Sequence, residues 1–296
     1  MLSVIIPTIQ KKIKVLEELV KILKRDNSIS EIILINNKIS TPLKIKGEKI
    51  KIYTPTENLY VNESWNQGVE MAKENNVAIL NDDLLIPKDF CNKIVNSEVF
   101  SKETTGLIGL SPSIIKLFGS NVDTLEKPIL TDKHKLEFIP LDKYLNTGDW
   151  GSAIFAKKEN FYRIPSDLKI IYGDNYILKK NLDNKKQNYS ISGLSINHIH
   201  SSSSASSEFS KIICNDITNS KKYFSDKKQD NFKITCRNNA CLIKIKNANN
   251  NETVCLKYKD GQKLYPKEQL KKNLKLLSQN LSEQDCSKIA DAIYTL

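Results

Sequence analysis

A mixed, mainly parallel α/β sheet flanked by helices, followed by a small α+β module, is the architecture this sequence predicts. Three observations carry it. Strand-length apolar runs alternate with helical stripes from the first residues onward, which is the βαβ rhythm of a parallel sheet. The 296 residues give room for one large domain and a small one. After Tyr223 the rhythm changes to two alternating strand-like runs followed by helical leucines.

The elements follow in order. Leu2 to Pro7 is a short apolar strand, and Ile13, Leu16, Leu19, Val20 and Leu23 then recur on one helical face. A second strand, Ile32 to Ile35, ends at Asn36-Asn37, and a third, Ile50 to Tyr53, precedes a loop with Pro55. Trp65, Val69 and Ala72 share one face of a helix, which assigns Trp65 to the core. Val77 to Leu80 is a buried strand that runs straight into Asn81-Asp82-Asp83. Pro87 suits the first position of a helix over Lys88 to Phe100, where its missing amide proton costs nothing. Further strands are expected at Gly106–Leu110, Ser152–Ala156 and Leu168–Tyr172, and Asn121 to Leu145 reads as a loop-rich insertion or acceptor-side flap. The serine run Ser201–Ser207 reads either as a tether or as part of an active-site loop, since it follows Asn197-His198-Ile199-His200. In the tail, Cys241–Ile245 and Val254–Tyr258 form a hairpin around an Asn-rich turn. Leu270, Leu274, Leu277 and Leu281 make a helical stripe, and Ser282 with Asp285 caps a last helix carrying Ile289 and Ile293. The domains read as 1–224 and 225–296.

Composition limits the classes of function. The 40% hydrophobic and 27% charged fractions are those of a globular protein, and no apolar run approaches the roughly 18 residues that cross a bilayer. The first residues lack the basic lead-in of a secretory signal, so a cytoplasmic location is expected. Six cysteines without a CxxC pair are read as reduced thiols. The net charge of +11 comes from lysines mixed with Asn and Ile throughout. That pattern fits a solvated basic face better than a nucleic-acid surface, and leaves open a peripheral contact with an anionic membrane or a lipid-linked acceptor.

The chemistry turns on phosphate. A nucleotide held at the carboxyl ends of parallel strands needs its charge neutralised. Glycine-rich amide cradles do this in many folds, but here the first strand runs into Thr8-Ile9-Gln10 with no glycine, which excludes both the GxGxxG turn and the P-loop. A divalent cation held by carboxylates is the other solution, and Asp82-Asp83 lie where it is needed. The competing reading of Asp82 and Asp83 is a simple turn cap.

Context decides between them. A first strand ending in Pro7-Thr8, the polar end Asn36-Asn37 of the second strand, the Asn66-Gln67-Gly68 helix, and an acidic motif after the fourth strand resemble, in this order, the family 2 branch of GT-A glycosyltransferases. The resemblance spans about residues 2 to 205. It implies a GT-A-type fold and a metal-dependent, inverting transfer of a sugar from a nucleoside-diphosphate sugar to a hydroxyl of a carbohydrate or lipid-linked glycan. Position by position, it implies that Thr8, Asn36, Asn37, Asn66 and Asp82 line the nucleotide, and that Asp83 holds Mn2+ or Mg2+. His198 or His200 resembles the additional metal ligand of several such enzymes, and imidazole favours Mn2+. Asp174, in Tyr172-Gly173-Asp174, resembles the general base, with Asp149 a second candidate. Trp150 and Gly151 resemble the acceptor-side segment. For Asp174 the competing reading is a helix N-cap, for Trp150 a core tryptophan, and for the histidines polar strand residues. The sequence departs from the family where Asn36-Asn37 stand in place of a common Asp and where Asn81 begins the acidic motif. A sugar-nucleotide pyrophosphorylase is disfavoured because its glycine-rich basic loop is missing. A catalytically silent carbohydrate-binding protein would lack metal-dependent donor hydrolysis.

Overall fold

The computed structural model describes residues 1–117, 136–145, 147–199, 207–224, 232–237, 240–246, 251–260, 263–278 and 283–294. By contact the chain divides into two compact units, Met1–Ser166 with Gly173–His200, and Asp167–Tyr172 with Ser201–Leu296. The sequence-based division after residue 224 differs from this one in that residues 201–224 and Asp167–Tyr172 are counted with the second unit.

The first unit opens as expected. Strand β1 (Leu2–Thr8), helix α1 (Ile13–Lys24), β2 (Ile29–Asn36), β3 (Ile50–Tyr53), α2 (Asn62–Met71) and β4 (Asn76–Leu80) follow one another. Helix α1 buries Val15, Leu16, Leu19, Val20 and Leu23, the face its 3.6-residue periodicity marks out. Past β4 come β5 (Leu84–Leu85), α3 (Phe90–Val95), α4 (Glu98–Ser101), β6 (Thr105–Leu110), β7 (Ile115–Leu117), β8 (Glu137–Leu141), β9 (Ala153–Lys157), α5 (Gly173–Asp183), β10 (Gln187–Ser192) and β11 (Ile196–His198). Among the described residues they form an eight-stranded sheet in the order β3-β2-β1-β4-β9-β6-β10-β8, and a small sheet β5-β11-β7. The pairs β1–β2, β2–β3, β1–β4 and β6–β10 are parallel, whereas β9 runs antiparallel to both β4 and β6 and β8 runs antiparallel to β10. The mixed, mainly parallel sheet is thus the predicted one.

Several local readings change. The single helix over Lys88–Phe100 is two, because the Ser97 hydroxyl accepts the Phe100 amide proton and so starts a new turn. Asp89, left-handed at φ 62, sets the entry to the first of them. The stretch Leu168–Tyr172 is not a strand, since its amides find a carboxylate instead of a neighbouring ladder. Within the expected insertion, β8 pairs with β10 and residues 118–135 lie outside the described chain. His134 and most of the serine run lie outside it too.

The second unit contains α6 (Ser207–Ser220), the antiparallel strands β12 (Phe232–Arg237), β13 (Ala240–Lys246) and β14 (Asn251–Lys257), the short pair β15 (Lys259–Asp260) and β16 (Lys263–Leu264), and helices α7 (Lys267–Leu277) and α8 (Glu283–Tyr294). Its core joins Cys241, Ile243, Val254 and Leu256 of the sheet to Leu270 and Leu274 of α7 and Ile289 and Ile293 of α8. Of the predicted leucine stripe, Leu277 is 49% exposed, and Leu281 and Ser282 lie outside the described residues. Cys214 is joined to Cys255, and Cys236 to Cys241, which corrects the reading of six reduced thiols. The second pairing follows from register, which sets Cys236 directly opposite Cys241, something sequence separation does not reveal.

Candidate functional site

Because β2, β1 and β4 are neighbours and parallel, their carboxyl ends meet at one edge of the sheet. Thr8 ends β1 opposite Asn36, which ends β2. Asn81, Asp82 and Asp83 follow β4, and the Asn81 amide donates to the Ser152 carbonyl at 2.9 Å, which ties the acidic segment to the start of β9.

Thr8 and Asp82 are joined directly. The Thr8 hydroxyl donates to Asp82 Oδ2 at 2.5 Å and accepts the Gln10 amide proton at 2.9 Å. Burial, together with the Asp83 charge beside it, pushes the Asp82 carboxyl up to about 7, against the lowering effect of the Thr8 hydroxyl. Two carboxylates this close do not both ionise cheaply without a cation between or beside them.

Strand pairing brings up the histidine. Strand β11 runs antiparallel to β5 with His198 opposite Leu84, and the Ile199 amide donates to the Asp83 carbonyl at 2.9 Å. His198 Nε2 consequently faces Asp83 Oδ1 across 3.1 Å. That Asp83 oxygen is buried, with the His198 ring as its ion-pair partner. Burial opposes charge on His198, but its polar contact with Asp83, followed by the charges of Asp83, Asp149 and Asp82, outweighs it and raises its pKa above the ordinary imidazole value. Two ligands at right angles on a cation with bonds of about 2.1–2.2 Å would stand about 3 Å apart, so the facing oxygen and nitrogen fit a shared divalent ion. Among the described residues no group of three or more His, Cys, Asp and Glu side chains gathers around one point. His200 lies outside the described residues.

The base candidates lie on and against one short turn. A 3-10 turn over Gly148–Ser152 carries Asp149, whose charge reaches His198, and Gly151, which packs on Asp174. A Cβ on Gly151 would stand 2.9 Å from Asp174 Oδ2 and 3.0 Å from Asp174 Cβ. Asp174 sits in the first turn of α5, 9% exposed, with Oδ1 accepting the Asn175 amide at 2.9 Å.

Other predicted residues have structural tasks. Asn36 accepts from Gln10 Nε2 at 2.9 Å and donates to the Thr41 carbonyl at 3.0 Å. Asn37 donates to Ser64 Oγ at 2.8 Å and accepts from the Leu59 amide at 3.1 Å. Asn66 exchanges two 2.9 Å hydrogen bonds with the backbone of Ile164. These buried amides shape the loops around the strand ends with both their donors and acceptors engaged. Trp150 is wholly buried, donates its indole proton to the Tyr189 carbonyl at 3.1 Å, and lies under Gly109, where a Cβ would meet its ring at 2.3 Å. Its ring belongs to the core. Sequence reasoning missed Gln10, which is left-handed at φ 57 and whose amide also donates to the Thr41 carbonyl at 2.7 Å. Its only signal was its place two residues past Thr8.

Comparison with known proteins bears on the fold. Residues 3–129 match the model of Glycosyl transferase family 2, and this part of the chain is similar to that family. A solved structure of GalNAc-T7 with UDP, GalNAc and Mn2+ has the same fold over 76% of this chain at 14% identity and a TM-score of 0.56. The structure of S. aureus TarS 1-349 overlaps 76% of this chain at 16% identity and a TM-score of 0.46. The chain spans 48% of that GalNAc-T7 chain and 66% of that TarS chain. No curated protein matches the sequence. Among the described residues, no helix is long and apolar enough to cross a membrane.

Proposed function

We propose that this GT-A, family 2-like domain is a nucleotide-sugar glycosyltransferase that moves a hexose-type sugar, with inversion, from a nucleoside-diphosphate donor to a carbohydrate or lipid-linked glycan hydroxyl. The observation that carries the proposal is the buried Asp83 Oδ1 facing His198 Nε2 across 3.1 Å at the end of β4, beside a second carboxylate pushed up to about 7. That arrangement favours a cation over two close carboxylates left to themselves. UDP and Mn2+ in the GalNAc-T7 structure make a uridine donor and manganese the first pair to test.

In this reading Asp83 and His198 hold Mn2+ or Mg2+, and Thr8 and Asp82 face the nucleoside and its phosphates. The bound cation would withdraw charge from the leaving diphosphate. Asp174 removes the proton from the acceptor hydroxyl as its oxygen attacks the anomeric carbon, on the face opposite the diphosphate. An alcohol is a poor nucleophile with its proton in place, and a carboxylate in the first turn of a rigid helix is a fixed acceptor for it. Gly151 lets Asp174 pack closely against the 3-10 turn, because a Cβ there would stand 2.9 Å from Asp174 Oδ2. A cytoplasmic location, with peripheral contact at a membrane face, is part of the same proposal.

A thermal-shift panel of UDP-, GDP-, CDP- and dTDP-sugars with and without Mn2+ tests it. A ligand at 100 times its Kd stabilises by about 2.7 kcal/mol, so at least one donor should raise the melting temperature only when Mn2+ is present. No metal-dependent shift with any donor refutes the proposal. Non-reducing peptide mapping of protein from its native cell checks the compartment. Recovery of linked Cys214–Cys255 and Cys236–Cys241 peptides would argue for an oxidising one.

A further inference from the structure

We propose that Asn175 is a positioning residue for the transfer, whose side-chain amide ties the turn carrying Asp149 and Gly151 to the helix carrying Asp174. The inference rests on the reading of Asp174 as the proton acceptor, and each residue involved lies in the first compact unit. Asn175 stands in the first turn of α5, directly after Asp174, and is wholly buried. Its backbone amide donates to Asp174 Oδ1 at 2.9 Å, while its side-chain Nδ2 donates to the Tyr144 carbonyl at 2.5 Å and to Thr147 Oγ1 at 3.4 Å. One residue thus holds the carboxylate through its main chain and the lead-in to the turn through its side chain. A carbonyl only accepts, so Tyr144 fixes which end of the Asn175 amide faces the loop.

The lead-in has no ladder to hold it. Strand β8 ends at Leu141 and β9 begins at Ala153, so the Tyr144 carbonyl lies outside both and takes its donor from a side chain. The same face of α5 holds the Tyr144 ring, since Lys179 Nζ, one turn beyond Asn175, stands 5.7 Å from its centroid. Gly148, left-handed at φ 63, then opens the 3-10 turn at a point where a Cβ would stand 2.8 Å from Pro112 Cγ. The far end of the turn is anchored separately: the Trp150 indole donates to the Tyr189 carbonyl at 3.1 Å, and the Ser152 carbonyl accepts the Asn81 amide at 2.9 Å. Between these anchorages Gly151 packs on Asp174, with room for no Cβ beside Oδ2. Asp174 therefore has Oδ1 on the Asn175 amide and Oδ2 against the turn whose approach the Asn175 side chain secures. Without that side chain the lead-in loses its hold on α5, and the turn can draw away from the carboxylate. A loop that only closes a connection tolerates such drift, whereas a group that takes a proton in a transition state needs placement to about 0.5 Å.

Asn175→Ala, Asp174→Asn and the double variant test the inference, with UDP release measured from whichever UDP-sugar stabilises the wild type, Mn2+–UDP affinity measured by calorimetry and folding followed by thermal melting. Asn175→Ala should lower kcat about 10- to 100-fold, as a misplacement approaching 1 Å does, with Mn2+–UDP affinity unchanged. In the Asp174→Asn background the same substitution should lower kcat by less than about twofold, because the group it positions is gone. Equal losses in both backgrounds, a matching loss of Mn2+–UDP affinity, or a folded Asn175→Ala protein with wild-type kcat would overturn the role of Asn175 while leaving Asp174 in place. Wild-type kcat in Asp174→Asn alone would instead remove the base, and the positioning role with it. If Asn175→Ala does not fold, Asn175→Ser, whose hydroxyl is too short to reach the Tyr144 carbonyl, is read by the same cycle, and additivity there overturns the proposal equally.

Discussion

Replacing Gly151 with alanine is the sharpest probe of the reaction, because it moves the proposed base without altering it. The added Cβ would lie 2.9 Å from Asp174 Oδ2, 3.0 Å from its Cβ and 3.1 Å from its Cγ. Ordinary contact begins at about 3.5 Å, so the two residues must separate by roughly 0.5 Å. Rotating the carboxylate cannot relieve the crowding, since Asp174 Cβ is fixed to the backbone of α5 and is itself too near. Overpacking of this size costs about 1–3 kcal/mol, which lowers the melting temperature by a few degrees in a domain of this length. Placement errors approaching 1 Å reduce turnover about 100-fold, so a shift of half that should lower kcat roughly tenfold. Donor affinity should not change, because Asp83, His198, Thr8 and Asp82 are untouched. The assay is kcat with the donor that stabilises the wild type, alongside Mn2+–UDP calorimetry and thermal melting. A folded Gly151→Ala protein with kcat within about threefold of wild type would show that Asp174 need not stay where it is, and would shift attention to Asp149.

Three further outcomes are expected. Asp83→Asn, which keeps the size of the side chain facing the buried His198, should abolish Mn2+-dependent UDP binding in calorimetry while the protein stays folded in thermal melting; unchanged Mn2+-dependent affinity would refute the metal assignment. Gly109→Ala should destabilise by about 1–3 kcal/mol in urea titration, because its Cβ would meet the buried Trp150 ring at 2.3 Å, and a wild-type midpoint would mean the ring has room to move. Burial works against the charge of Glu31, but the Lys51 ammonium, the Ser3 hydroxyl and the Lys73 amide outweigh it and hold the carboxyl below its usual range. Its contribution is therefore present above the unfolded carboxylate pKa and disappears as pH falls through the lower folded value. Glu31→Gln should then be less stable than wild type near pH 6, and the gap should close toward pH 3; a gap independent of pH would refute this linkage.

The strands and the first helix were legible in the sequence because burial imposes periods that composition cannot hide. The apolar runs at Leu2–Pro7, Ile32–Ile35 and Val77–Leu80, and the spacing of Leu16, Leu19 and Leu23, are direct records of faces turned inward. The acidic end of β4 was legible for the same reason, since two carboxylates directly after a wholly apolar strand contradict burial unless something compensates them. The strand order, the crossing of β9 into the sheet against the direction of β4, and the pairing of β11 with β5 depend on which distant segments meet, and no local period records that. His198 therefore reaches Asp83 by way of a ladder, and Gly151 reaches Asp174 by way of packing. The sequence offered Trp150 equally to the core and to an acceptor sugar, and a glycine 41 residues before it in the chain decided for the core. Leu168–Tyr172 had the composition of a strand and became a clamped segment, because the carboxylate of Asp216 reached its amides and, among the described residues, no strand did. Local chemistry determined what each segment prefers to bury; only tertiary structure decided which partner satisfies it.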